Sequence, residues 1–198
     1  MNIYRLSALS LLISALAACG SSPPVRFYTL EPIPGTTSTT NVESTIGVGP
    51  LRFPEYLARP QIVSTGTDGE VVVAEFDRWA GSAEAAFQRT FALNLNTLLD
   101  NVMVIQYPFG GGLVSPDYRI IAQIALFGTD AAGTATLDVS WGMIDAEGAE
   151  YIAARRSVFT ASSESGVSYQ ARVRAMNETL RDFSRELADA FRAVQTEN

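Results

Sequence analysis

The chain of 198 residues contains no histidine, no lysine and a single cysteine, Cys19. Each absence removes a class of chemistry. Without histidine the commonest general base is missing, so Ser–His–Asp and Cys–His nucleophilic sites are excluded. Zinc sites built from His and Cys are excluded with them. One cysteine cannot close an intrachain disulfide, so the fold holds by packing alone in any compartment. All 14 basic residues are arginine against 21 Asp plus Glu, a net charge of −7. With no basic cluster, nucleic acid is a poor partner, because binding there is driven by cations neutralising phosphates. No apolar run reaches the roughly twenty residues that a membrane-spanning helix needs.

The remaining chemistry is thin. Carboxylate pairs occur at Glu75 with Asp77, Asp145 with Glu147, and Glu178 with Asp182. The first two fall at strand ends or turns and the third on a solvated helix face, which reads as surface charge rather than catalysis. Gly110-Gly111-Gly112 lacks the Lys-Ser/Thr of a phosphate loop and precedes no helix. Asn177-Glu178-Thr179 matches a glycosylation sequon by accident, inside a helical pattern. No catalytic residue, no metal site and no cofactor is expected.

The context of Cys19 is informative. Met1–Arg5 is short with one positive charge and Leu6–Leu16 is a compact apolar run, the build of a secretory signal. Leu16-Ala17-Ala18-Cys19 then resembles the bacterial lipobox, in which the peptidase cuts before the cysteine and the thiol receives a diacylglyceryl group. An ordinary signal followed by an idle or core cysteine is the other reading, since free Cys packs as a small hydrophobe. A core cysteine between a signal and Gly20-Ser21-Ser22-Pro23-Pro24 is the poorer fit. The expected organisation is a signal over 1–18, a lipidated tether over 19–24, and one domain over 25–198. Arg5 is the only charge in the leader, so its removal makes the mature chain one unit more acidic. An N-acyl and an S-diacylglyceryl group on Cys19 give a stable anchor at ~0.8 kcal/mol per buried methylene. Gly20, where enterobacterial sorting uses Asp for inner-membrane retention, points to the outer membrane. Ser21–Pro24 reaches at most roughly 13 Å when extended, so the domain stays close to its membrane.

Along the chain, Val25–Leu30 reads as a first strand and 31–44 as a loop rich in Pro, Gly and Thr. Short strands follow at Thr45–Pro50, Gln61–Thr65 and Glu70–Glu75, the last two joined by a Gly66-Thr67-Asp68-Gly69 turn. Trp79, Ala83, Ala86, Phe87, Phe91, Leu95 and Leu98 recur at helical spacing, predicting an amphipathic helix of about twenty residues. Val102–Gln106 is a strand and 108–112 a loop. Three alternating runs come next: Tyr118, Ile120, Ala122, Ile124, Leu126; Leu137, Val139, Trp141, Met143; and Tyr151, Ala153, Arg155, Ser157, Phe159. Turns at Asp130–Gly133 and Asp145–Gly148 make them an antiparallel meander. A second helical stripe runs Tyr169, Val173, Met176, Leu180, Phe183, Leu187, Phe191, Val194. The expected fold is α+β (α/β in the broad sense): a mixed, largely antiparallel sheet with two long amphipathic helices on one face.

One segment is more specific: Val48-Gly49-Pro50-Leu51-Arg52-Phe53-Pro54-Glu55-Tyr56-Leu57-Ala58-Arg59-Pro60-Gln61-Ile62-Val63. Pro54 and Pro60 fix φ and bracket one helical turn between two strands. A purely structural crossover is one reading of it. Together with Phe76-Asp77-Arg78-Trp79-Ala80 leading into Asn94-Leu95, it resembles the PqiC (YmbA) family of auxiliary lipoproteins of ABC-type intermembrane transport systems. Tyr118-Arg119-Ile120, Phe127 and Leu137–Trp141 are similar to that family's strands, and the likeness spans about residues 25–195. Gly110–Gly112 departs from it. The resemblance implies a non-enzymatic protein, lipid-anchored at the periplasmic face of the outer membrane. It also implies docking of an inner-membrane-tethered MCE-domain protein and assembly into a homo-oligomeric ring. Pro54, Tyr56, Leu57, Arg59, Pro60 and Trp79 are carried over only as signature positions and candidate interface. Two rival functions remain at this point: a periplasmic carrier holding a lipid or small hydrophobe between helices and sheet, and an envelope hydrolase using carboxylates.

Overall fold

The computed structural model describes residues 23–35, 41–66, 69–108, 114–163 and 168–197. The leader with Cys19, Thr67 and Asp68 of the first turn, and Gly110–Gly112 lie outside the described residues. The elements are β1 (Arg26–Tyr28), β2 (Ser44–Arg52), a 3₁₀ turn (Glu55–Ala58), β3 (Gln61–Thr65), β4 (Val71–Trp79), α1 (Ala83–Leu98), β5 (Val102–Gln106), β6 (Tyr118–Asp130), β7 (Thr134–Asp145), β8 (Glu150–Ser162) and α2 (Tyr169–Glu197).

The strands form one mixed sheet with helices on one face, as the alternation predicts. β6 is its hub. One edge pairs antiparallel with β7, and β7 pairs antiparallel with β8, giving the meander. The other edge is shared in succession by two parallel strands: β2 runs beside Ile46↔Tyr118 to Arg52↔Gln123, and β3 resumes at Ser64↔Thr129. β5 extends the sheet beyond β2 in parallel, while β3, β4 and β1 extend it at the other corner. The chain between β2 and β3 is thus a detour within one sheet edge.

Ile120, Ala122 and Ile124 of β6 face the helices, with Leu137, Val139, Trp141 and Met143 of β7 beside them. Here the alternating run breaks. Ala125 is an extra residue between Ile124↔Val139 and Leu126↔Asp138, a bulge that turns Leu126 outward and puts fully buried Phe127 in the core. The third run is mixed because its inward side is polar. Arg155 lies over the Trp141 ring at 4.5 Å, and the Ser157 hydroxyl accepts from Trp141 Nε1 and donates to Glu186 of α2.

The first helix also begins later than its stripe. Trp79 ends β4, and the helix starts at Ala83 because Ser82 is its cap, Oγ accepting the Ala85 N–H at 3.0 Å. α1 lies over β2 and β5, α2 over β7 and β8, and the two helices touch. Phe91 and Phe183 stack between them at 4.6 Å, and Phe87 meets Phe127 edge-on at 5.1 Å. Burial of each such ring contributes roughly 1.5–3 kcal/mol.

Candidate functional site: the signature crossover and its surroundings

β2 ends irregularly. Gly49 sits at φ 133° with the Tyr107 carbonyl 2.5 Å from where a Cβ would lie, so only glycine fits. The Gln88 amide of α1 donates to the Val48 carbonyl at 2.7 Å and bridges to Tyr107. Pro54 then opens the 3₁₀ turn, whose carbonyl accepts the Leu57 N–H at 3.0 Å. Leu57 is buried and packs in the core, and Phe53 meets Phe87 edge-on at 5.3 Å. Pro60 closes the turn, its carbonyl accepting the Trp79 N–H at 2.7 Å. Trp79 itself is buried. The signature positions therefore divide. Leu57 and Trp79 are core, and Pro54 and Pro60 shape the backbone. Arg59 is exposed, and half-buried Tyr56 has its hydroxyl pushed up by burial.

Asp77 and Asn94, carried in the same sequence phrases, have their own roles. Asp77 is buried on β4 and accepts from both Arg26 (2.8 and 2.9 Å) and the Tyr28 hydroxyl (2.8 Å), clamping β1 to the sheet. Burial and that hydrogen bond push the Tyr28 hydroxyl up, and the hydrogen bond to Asp77 raises Arg26 further. Asn94, fully buried on α1, accepts the Ile33 N–H at 2.8 Å and donates to Ser184 of α2 at 3.1 Å. It joins both helices to the segment after β1. Arg26, Tyr28 and Ser184 were not singled out by sequence reasoning, because nothing local marks a partner so distant in the chain.

Four of the six candidate carboxylates, Asp77, Asp145, Glu178 and Asp182, are engaged structurally, and Glu75 and Glu147 are exposed. Asp145 accepts the Ala149 N–H across its turn at 2.7 Å, Glu178 pairs with Arg181, and Asp182 with Arg185. Among the described residues no group of three or more potential ligands could hold a metal. Asn177 is buried with its carbonyl accepting the Glu31 N–H, so its sequon is inaccessible. The space a carried lipid would need between helices and sheet is filled by Phe87, Phe91, Phe127, Trp141 and Phe183.

On the open face of the sheet, a groove of about 540 Å³ is lined by Pro50, Arg52, Ile121, Gly142, Ile144 and Ile152 among others. Gly142 lets β8 approach closely, for a Cβ there would meet Ala154 Cα at 3.2 Å. Ile121, apolar at an outward position of β6, was its visible trace in the sequence.

The model of a family described as the ABC-type transport auxiliary lipoprotein component matches residues 28–188. Among solved structures, a Xanthomonas campestris protein is 17% identical with a TM-score of 0.69, covering 87% of this chain and 98% of its own. An uncharacterized protein, also 17% identical, gives 0.71 with 85% and 99% covered. A hypothetical protein from Chlamydia trachomatis, 10% identical, gives 0.51 with 79% and 100% covered. At these identities the likeness establishes the shared fold. No curated protein matches the chain. The family model extends from the end of β1 into α2 and takes in the crossover, Trp79 and Asn94, and the chain belongs to the ABC-type transport auxiliary lipoprotein component family.

Proposed function

We propose that the protein is a PqiC (YmbA)-type auxiliary subunit, anchored by acylated Cys19 to the periplasmic face of the outer membrane. There it docks the periplasmic MCE-domain protein of an ABC-type lipid transport system. The carrying observation is the match over 28–188 to a family of transport auxiliary lipoproteins, which supports a role as a component of a transport system. The lipobox sequence and Gly20 support the anchor and the choice of membrane. Exposed Arg59 and half-buried Tyr56 are the signature side chains free to meet a partner, and assembly into a homo-oligomeric ring belongs to the same reading.

Affinity purification of the crosslinked protein from detergent-solubilised membranes is expected to recover an MCE-domain protein, and repeated recovery without one would sink the docking role. Cys19→Ser is expected to release a soluble periplasmic protein that fails to complement a deletion. Unchanged membrane association of that variant would remove the anchor. The carrier reading finds no support in the filled interlayer space. Native mass spectrometry of the delipidated domain is expected to show the bare protein mass.

A further inference from the structure

Among the described residues, the exposed large hydrophobic side chains are concentrated along one margin of the sheet. Phe27 on β1 is 65% exposed, Val71, Val72 and Val73 on β4 are 48%, 39% and 39% exposed, and Val25, just before β1, is 39% exposed. β1 pairs with β4 only from Asp77 to Trp79, so among the described residues the edge of β4 from Val71 to Phe76 has no ladder partner on that side. Successive strand residues point to opposite faces. Three consecutive exposed valines therefore leave both faces of this corner uncovered as well as its edge. Such an edge is a pairing hazard unless something rests on it, and exposed apolar side chains gathered along one margin mark a contact surface.

The position of the tether says what that contact is. β1 and β4 are parallel, so the chain enters β1 from the direction of the valine end of β4. From Arg26, level with Asp77, back to Cys19 is a span of at most roughly 24 Å at full extension. From Asp77 back to Val73 along β4 is about 13 Å at the usual strand rise. The valine end of β4 therefore lies within the length of chain that separates β1 from the anchor.

We propose that this margin, Phe27 with Val71–Val73, rests in the headgroup boundary of the leaflet that holds the Cys19 acyl chains. The inference rests on the anchored reading of Cys19. The tether holds the leaflet against the patch at high effective concentration whether or not any protein partner is present. Because the chain is acidic, the contact is apolar rather than a charge attraction, and added salt leaves it in place. The arrangement also sets the orientation. The β7–β8 turn at Asp145–Gly148, at the opposite end of β6 from its Asp130 terminus, points away from the membrane.

An acylated Cys19 has no free thiol, so Val72→Cys in the full lipidated chain carries the only labelling site. With an environment-sensitive fluorophore there and the protein in phosphatidylcholine vesicles, nitroxide-labelled lipids are expected to quench the probe. A probe at Val158→Cys, on outward-facing β8, is expected to keep its emission. A vesicle-bound protein whose position-72 probe escapes quenching overturns the proposal. So does an intermolecular disulfide through Val72→Cys in detergent, which would assign the margin to a second copy. Failure of the anchor is recognised separately: the wild-type chain then stays off vesicles and its Cys19 reacts with maleimide.

Discussion

The Trp79 N–H donates to the Pro60 carbonyl at 2.7 Å, so the end of the crossover and the end of β4 form one unit. The detour after β2 is pinned at its exit by the residue from which the chain turns into α1. Gln61↔Arg78 pairing continues the same tie into β3. The two sequence phrases that carry the family resemblance are thereby a single structural device: a break in one sheet edge, locked to the helix that covers it.

Removing the Trp79 ring should cost much of the protein's stability. The side chain is 3% exposed, and Trp→Ala in a core typically costs about 3–5 kcal/mol. Trp79→Ala is expected to lower the thermal midpoint sharply by circular dichroism. Arg59→Ala, at an exposed position, is expected within about 0.5 kcal/mol of wild type. A loss of complementation by Arg59→Ala with that stability intact would make Arg59 a partner contact. Normal complementation would leave the signature as a folding device.

Asn94 is the second test of that device. Asn94→Ala orphans the half-buried Ile33 N–H and removes the donor to fully buried Ser184. An unsatisfied buried group costs about 1–3 kcal/mol. The urea midpoint is expected to fall with an unchanged denaturant slope. An Asn94→Ala midpoint equal to wild type would show that the link between the helices contributes nothing.

The elements legible in the sequence were those whose burial has one period. The stripe from Tyr169 to Val194 became α2, and β7 kept its alternation from Leu137 to Met143 without interruption. Ala125 hid the rest of β6. A bulge adds one residue without changing composition, so Leu126 continues the pattern on paper while Phe127 fills the core in fact. Trp79 misled for a related reason: its spacing to Ala83 suits a helix, yet the cap at Ser82 decides where the helix begins. The clamp of Arg26 and Tyr28 on Asp77 and the groove beside Ile121 join residues remote in sequence. Only the sheet register brings them together.

The clamp on β1 predicts an asymmetry. Arg26 is 62% exposed, so its attraction to Asp77 is partly screened, whereas the Asp77 carboxylate is 5% exposed. Arg26→Ala leaves a buried carboxylate with Tyr28 alone, and Asp77→Ala leaves a solvated guanidinium. Arg26→Ala is therefore expected to be the more destabilising, with Asp77→Ala added to it restoring part of the loss. Thermal midpoints of the three variants test this, and hydrogen exchange should show β1 losing protection first. Equal midpoints for the two single variants would rule out the asymmetry.

Tyr151 makes stability depend on alkaline pH. Its ring packs on Tyr118 at 4.3 Å and on Phe191, and its hydroxyl is pushed up to about 12, first by burial and then by the hydrogen bond with Tyr118. In the unfolded chain the same group titrates near ~10. Below that pH both states hold the proton and the contribution of Tyr151 is complete. Above it the unfolded chain ionises while the folded one does not, so stability falls as pH rises from about 10 to about 12. Tyr151→Phe removes this ionisation at the expense of one hydrogen bond. The variant is expected to be the less stable near neutrality, with the gap in urea midpoint narrowing as pH rises past about 10. A gap that stays constant across that range would show that the Tyr151 hydroxyl titrates no differently in the folded protein.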